Sequence, residues 1–342
     1  MTISIMMTVW RLLFQRSSAI LACLVLCGTA APPSFPGWHS LPQTINNGAE
    51  ASYLGLVSPA LQAIRLSYTA TFGSYRKTQE VNGTLGDGWE RFQSLERNPR
   101  DGGFHGLVFW HAETRQLVLA MRGTDLDPTG VSGQADSCAD QLLWDNATYD
   151  SLPAFCRQFS REDLDYFSAA EAFADRALDL LKPSATLFVG HSLGAGLSVM
   201  VAARQVRAER WQPQVLGVSA PTFDAVLKAR VNRDPEELQA DRYVVIYDVF
   251  DPLFRVAQSS SGVRGSTVCT YTPFPSISVC VDCFSNVDDI TKWNQDPRCL
   301  ECFSVTHVLK YYLHHLQGTL QKPPEYRPRC ELLGQSSTDV VV

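Results

Sequence analysis

The segment Gly190-His191-Ser192-Leu193-Gly194 places one serine between two glycines. A serine hydroxyl is a weak nucleophile until a base takes its proton, so the chemistry on offer is acyl transfer through an activated Ser192. A G-x-S-x-G pattern arises by chance often enough that its context must decide. Here an apolar run, Ala185 to Val189, precedes it, and a stretch with helical apolar spacing, about Gly196 to Arg207, follows. A strand, a sharp turn and a helix in that order form the elbow that lifts a nucleophile clear of a sheet's carboxyl edge. Glycines at 190 and 194 leave room for the neighbouring strand and helix. The helix start behind the turn offers the Leu193 backbone N–H, and a positive dipole end, to a developing oxyanion. The competing reading is a glycine-rich strand-to-helix turn without chemistry; His191, inside the elbow, is expected to be structural.

A base and an acid must follow. In a fold of this kind the chain order is serine, then carboxylate, then histidine. Asp251 fits the acid position, one residue beyond the apolar run Tyr243 to Phe250 and just before Pro252. Asp248 lies within that run, and Asp224 follows the preceding one, so both remain alternatives. Only His307, His314 and His315 come after Asp251. His307 stands after Thr306 where a loop is expected to enter a last helix, whereas His314 and His315 fall deep in that helix and are expected to be solvated. The expected triad is Ser192, Asp251 and His307. In it, neutral His307 takes the serine proton and Asp251 orients the imidazole.

With these residues in place, the chain resembles the class 3 lipases, the fungal-type triacylglycerol lipases of the α/β-hydrolase superfamily. The elbow G-H-S-L-G is similar to that family's motif. So is Met121-Arg122-Gly123-Thr124, where the family has its R-G-[ST] oxyanion segment. Asp251-Pro252 resembles its acid segment, and His307 ahead of Tyr311-Tyr312 its histidine. A fainter resemblance, through the C-terminal cysteine pairs, is to the vacuolar lipases of autophagy. The resemblance implies an α/β-hydrolase fold, and it implies Thr124 as an oxyanion donor through its backbone N–H and its hydroxyl. It also implies hydrolysis of triacylglycerol at a lipid–water interface, without a cofactor or metal. Phospholipase A1 activity, a soluble-ester esterase and a catalytically inactive scaffold that binds lipid or protein are the alternatives. Residues 125 to 160 fall where the family carries a mobile cover. There Leu142, Leu143 and Trp144 form an apolar patch expected to fold inward over Ser192 in water, the alternative being a loop whose tryptophan completes the core.

The elements that must position these groups read as one α/β unit, with strands and helices alternating around a mainly parallel sheet covered by helices. Ala51 to Ser67 has helical spacing. Gly106 to Trp110 and Gln116 to Met121, joined by a polar turn, predict an antiparallel hairpin. Residues 125 to 160 read as loop, and Phe167 to Leu181 as an amphipathic helix ended by Pro183. Val215 to Val218 and Tyr243 to Phe250 read as buried strands. Residues 259 to 303, rich in Ser, Cys, Pro and Asp, read as a cross-linked insertion before a last helix, His307 to Leu316.

Composition sets the remaining bounds. The chain has 342 residues, 45% of them apolar, and a net charge of −6, so it can bury a large core and offers no basic surface for nucleic acid. Residues 1–31 read as a signal peptide, with Arg11 and Arg16 ahead of an apolar core and small residues from Gly28 to Ala31. That core is shorter than the roughly 20 residues that span a bilayer. The remaining chain, 32–342, is then a single domain, secreted or delivered to the lumen of the secretory or vacuolar pathway. Outside that leader stand Cys138, Cys156, Cys269, Cys280, Cys283, Cys299, Cys302 and Cys330. An even number in an exported chain implies disulfides. Cys138 and Cys156, apart from the others, are expected to pair. Cys280-x2-Cys283 and Cys299-x2-Cys302 have the spacing of a four-thiolate zinc site, a reading that export opposes. Asn82 and Asn146 open glycosylation sequons.

Overall fold

The computed structural model describes residues 50–69, 85–97, 103–125, 130–144, 147–207, 213–238, 242–260, 262–271, 278–286, 296–308 and 329–332. The expected leader, Asn82, Asn146, His314 and His315 lie outside the described residues.

Among the described residues eight strands form one sheet in sequence order: β1 (Trp89–Arg91), β2 (Gly106–His111), β3 (Gln116–Met121), β4 (Ala185–His191), β5 (Gln214–Val218), β6 (Tyr243–Asp248), β7 (Thr267–Tyr271) and β8 (Arg329–Leu332). Strands β3 to β7 run parallel, and the pairs β1/β2, β2/β3 and β7/β8 are antiparallel. The longer helices among the described residues are α1 (Glu50–Thr69), α2 (Val131–Trp144), α3 (Tyr166–Leu181), α4 (Leu193–Arg207), α5 (Pro252–Ser260), α6 (Ser278–Asn286) and α7 (Pro297–Thr306).

Because strand side chains alternate between faces, the sheet feeds two cores. Leu117, Leu119, Met121, Phe188, Val215, Val245 and Tyr247 face the core shared with α3 and α4. Val118, Ala120, Leu187, Val189, Leu216, Val244 and Ile246 face α1 through Val57, Leu61 and Ile64. Both faces of the central strands are therefore dry, which is why their sequences are continuous apolar runs. Helix α3 stops at Lys182, which turns left-handed at φ 46° just before Pro183.

Three expectations need correction. The stretch 125–160 is not mostly loop: α2 occupies 131–144, and its small residues Gly133, Ala135, Cys138 and Ala139 pack inward. Leu143 enters the main core, Trp144 packs against that core, and Leu142 sits against a separate cluster around Cys138 and Cys156. The apolar patch is thus divided between two interiors. The stretch 259–303 is not wholly an insertion either. It contributes β7 to the sheet, and Cys269 of that strand bonds Cys330 of β8. Finally, His307 ends a helix, α7; the rest of the expected last helix, residues 309–316, lies outside the described residues.

Among the described residues four disulfides are present: Cys138–Cys156, Cys269–Cys330, Cys280–Cys302 and Cys283–Cys299. The last two pairs take up the sulfurs of the zinc-like spacing. A C-x2-C spacing sets both thiols on one side of a helix. Two such helices side by side, α6 and α7, are zipped antiparallel by the crossed pairs.

Candidate active site

The carboxyl ends of β3, β4, β5 and β6 lie side by side, and each hands its next residues to one site. After β4, Ser192 takes φ 55°, a left-handed conformation that side chains rarely adopt. The turn is tight enough that its glycines are obligatory. A Cβ on Gly190 would stand 2.2 Å from the Gly194 carbonyl oxygen, and one on Gly194 would stand 2.1 Å from that of Met121. The Ser192 N–H donates to the Val218 carbonyl at 2.9 Å, which fastens the turn to β5. Helix α4 starts at Leu193, and the Ser192 carbonyl accepts the Ala195 and Gly196 N–H groups at 2.9 Å and 3.2 Å, so the Leu193 N–H stands ahead of the helical ladder.

Ser192 Oγ lies 3.1 Å from His307 Nε2, and His307 Nδ1 lies 3.0 Å and 3.2 Å from the two carboxylate oxygens of Asp251. A carboxylate only accepts, so Nδ1 carries the proton. Nε2 of the neutral ring then accepts from the Ser192 hydroxyl. His307 is 3% exposed and Asp251 is fully buried. The Asp251 turn is built by its own N–H, which donates to the Asp248 carbonyl at 2.9 Å. Its carboxylate also accepts the Leu253 N–H at 2.8 Å in the first turn of α5.

The sequence alternatives for the acid go elsewhere. Asp224 pairs with Arg264 at 2.9 Å. Asp248 ends β6 and accepts the Phe250 N–H at 2.8 Å. Burial, with the Asp251 charge adding to it, pushes the Asp248 carboxyl well above its usual range.

His307 is held on three sides. Its N–H closes α7 on the Phe303 carbonyl at 2.9 Å, and its ring stacks on Phe303 at 5.0 Å. Its carbonyl oxygen lies 2.9 Å from Nε2 of His191, the elbow histidine. Burial and the nearby His307 hold the His191 ring well below its normal pKa, so it is neutral. Nε2 facing a carbonyl must then carry the proton, and Nδ1 accepts from the Tyr68 hydroxyl at 2.9 Å. Gly123 makes that contact possible, since a Cβ there would stand 2.2 Å from the Tyr68 oxygen and 2.2 Å from the His191 carbonyl.

Thr124 follows β3 at the same edge. Its hydroxyl donates to Asp140 of α2 at 2.7 Å, and Asp140 also accepts the Trp144 indole N–H at 3.1 Å. The Trp144 ring lies where a Cβ on Gly196 would be, 2.6 Å from it, so α2 rests directly on α4. One turn earlier, Asp136 accepts from Arg122, Tyr166 and the Asp125 N–H, each at 2.6 Å. Helix α2 therefore grips the segment 122–125 at two points.

Sequence reasoning missed Tyr68, Asp136, Asp140 and Ser219 as members of this surround. Asp136 and Asp140 are spaced by one helical turn, a signal available only once 131–144 is read as a helix. Among the described residues no cluster of His, Cys, Asp and Glu could hold a metal ion.

No protein-family profile matches the chain, and no curated protein matches it. Solved structures do. The Lip2 lipase of Yarrowia lipolytica is 16% identical, over 62% of this chain and 76% of that one, with a TM-score of 0.38. A lipase from Rhizopus microsporus var. chinensis is 12% identical over 76% and 86%, with a TM-score of 0.42. Lipase II from Rhizopus niveus is 13% identical over 63% and 78%, with a TM-score of 0.36. The mainly parallel sheet with its strand–turn–helix element at Ser192 is an α/β architecture, and the three solved proteins named are lipases.

Proposed function

We propose that this chain is a serine carboxylic-ester hydrolase, a triacylglycerol lipase acting through Ser192, His307 and Asp251. The observation that carries the reading is the continuous contact from Ser192 Oγ through the His307 ring to Asp251, buried at the sheet's edge.

In this mechanism His307 Nε2 accepts the Ser192 proton as Oγ attacks the ester carbonyl carbon, and the carbonyl electrons move onto oxygen. The Thr124 and Leu193 N–H groups stabilise that oxyanion, and such donors contribute several kcal/mol of barrier lowering, of order 3–4 each in comparable enzymes. Collapse breaks the ester C–O bond, and the His307 proton passes to the leaving alcohol. Water, deprotonated by the same imidazole, then attacks the acyl-serine and releases the carboxylic acid. The choice of triacylglycerol rests on the paired motifs around Ser192 and Thr124 that resemble the class 3 lipases. Four disulfides support an oxidising compartment, in keeping with export through the expected leader.

The test is a hydrolysis panel of emulsified long-chain triacylglycerol, phospholipid and dissolved short-chain ester, with Ser192→Ala as control and a fluorophosphonate probe for labelling. Hydrolysis of the emulsion, lost in Ser192→Ala together with labelling, is the expected result. Preference for phospholipid or for dissolved ester would reassign the substrate to a phospholipase A1 or an esterase. An unlabelled, inactive wild type would make the chain a binding scaffold and end the reading.

A further inference from the structure

Ser219 is the first residue past β5, between the strand that ends in the nucleophile turn and the strand that leads to the acid. It is fully buried. It also takes φ 50°, a conformation that glycine accepts freely and serine does not. Its backbone N–H donates to the Ile246 carbonyl at 2.9 Å, which extends the β5–β6 ladder by one step. Its hydroxyl donates to Asp251 Oδ2. Strain retained at a buried polar residue beside a site points to a use for the side chain.

The geometry points to Ser219 as a positioning residue for Asp251, an inference that rests on the proposed ester hydrolysis. The carboxylate is fixed at both oxygens by groups of the fold: Oδ1 by the Leu253 N–H at 2.8 Å, Oδ2 by the Ser219 hydroxyl. Two donors on different oxygens set the carboxylate plane, and His307 Nδ1 meets that plane at 3.0 Å and 3.2 Å. Oδ2, the oxygen held by Ser219, is the one nearer the imidazole. Without the hydroxyl only Oδ1 is tethered, and the carboxylate can turn about its Cβ–Cγ bond away from Nδ1. Neighbouring contacts keep Ser219 itself still. Val218, just before it, accepts the Ser192 N–H, and Ala220, just after it, accepts the Tyr247 hydroxyl at 2.9 Å. One short turn thus holds the nucleophile's backbone on one side and the acid's side chain on the other. Ser219 touches neither Ser192 Oγ nor the reacting carbonyl in this scheme, so its effect runs through Asp251.

The test compares Ser219→Gly, Ser219→Ala and Ser219→Thr with the wild type on a dissolved p-nitrophenyl butyrate substrate, alongside melting temperatures. Gly and Ala both remove the hydroxyl, but Gly also relieves the left-handed backbone. Thr keeps the hydroxyl and worsens the backbone strain. We expect kcat to fall tenfold or more in Gly and Ala with KM changed less than twofold. Gly should melt no lower than Ala. Thr should melt lower than the wild type yet keep kcat within about threefold of it, because activity follows the hydroxyl and not the stability. A Gly variant with wild-type kcat would overturn the inference, as would a folded Thr variant as slow as Ala. If Thr does not fold, Gly and Ala decide the matter. Ser192→Ala and fluorophosphonate labelling run in the same assay. An unlabelled, inactive wild type defeats the hydrolase reading itself, whereas an active wild type with an unaffected Gly variant defeats only the role of Ser219.

Discussion

Replacing Asp136 by asparagine should be among the most destabilising conservative changes in the chain, although the residue lies outside the proposed triad. Its carboxylate accepts from Arg122 Nη2, the Asp125 N–H and the Tyr166 hydroxyl, each at 2.6 Å. The Arg122 and Asp136 side chains are 2% and 1% exposed. Burial pushes the Asp136 carboxyl upward, and the Arg122 charge, the phenol and the amide pull it back down. Desolvation outweighs the attraction, so the carboxyl stays above its usual range and the pair as a whole contributes little net stability. Breaking it is another matter. Asparagine leaves Arg122 charged and buried, and it points an amide N–H₂ or a weaker acceptor at two donors. The expected cost is about 3–5 kcal/mol. The exposed pair Arg161–Asp150, at 3.3 Å with side chains 66% and 85% exposed, provides the contrast. Asp150→Asn should cost about 0–1 kcal/mol. Urea unfolding followed by tryptophan fluorescence measures both. A double replacement, Arg122→Met with Asp136→Leu, should be less damaging than Asp136→Asn alone, because no unpaired charge is left behind. If Asp136→Asn matched Asp150→Asn, or the double variant cost the sum of its singles, the balance argued for this pair would be wrong.

Asp251→Asn should reduce kcat by about 10⁴, since an amide forces the wrong His307 tautomer. Asp248→Asn should change kcat far less, because the Asp248 carboxylate accepts the Phe250 N–H whereas the His307 ring meets Asp251. Parallel kinetics on both variants check this, and equal losses would count against Asp251. His105 is buried, and burial, followed by the charges of Arg122 and Arg97, lowers its pKa from 6.5 to about 2. As pH falls below 6.5 the unfolded chain takes up this proton and the folded one does not, so stability drops by about 1.4 kcal/mol per pH unit from this group. His105→Asn should remove that slope from urea midpoints measured between pH 7 and pH 5, and an unchanged slope would refute it. Changing Cys280 and Cys302 to alanine together should lower kcat tenfold or more while leaving the main unfolding transition in place. The small cluster around α6 and α7 consists of the four cysteines with Phe250, Val279 and Val305. Retained activity would mean that α7 is held by other contacts.

The central strands and the elbow were legible because burial on both faces writes itself as apolar runs, and Ser192 interrupts one at the required turn. Helix α2 was not legible as a helix. Its inward face is made of Gly133, Ala135, Cys138 and Ala139, residues too small to give an apolar stripe, and it includes a buried Asp136. Helix α7 did carry a signal. Cys299, Cys302, Phe303 and Thr306 follow helical spacing, behind Asp296 as N-cap and Pro297 in the first turn. In the sequence alone the density of cysteines points to cross-links, which hides the helix that His307 closes. Ser219 left almost no trace. A serine between an apolar strand and Ala220-Pro221 looks like an ordinary strand end, and its left-handed backbone is invisible in residue types.

The site divides by how each group reaches it, and that division explains which parts the fold makes rigid. Thr124, Ser192, Ser219 and Asp251 leave β3, β4, β5 and β6, four neighbours in one parallel ladder. Strand spacing alone, about 4.8 Å per step, sets their order across the edge, with Ser219 of necessity between nucleophile and acid. His307 has no strand of its own. It arrives at the end of α7, a ten-residue helix whose partner α6 is bound to it by two disulfides. Its remaining fixings are the Phe303 ring, the His191 ring and the Asp251 carboxylate. Two of those three are themselves edge residues of the sheet. The base is thus the one member of the proposed triad that must be docked onto the ladder from outside. The hydrogen bond from His191 to its carbonyl ties the docked helix to the same turn that presents Ser192. Nucleophile and base share that turn as a common reference, which couples the position of α7 to that of the elbow.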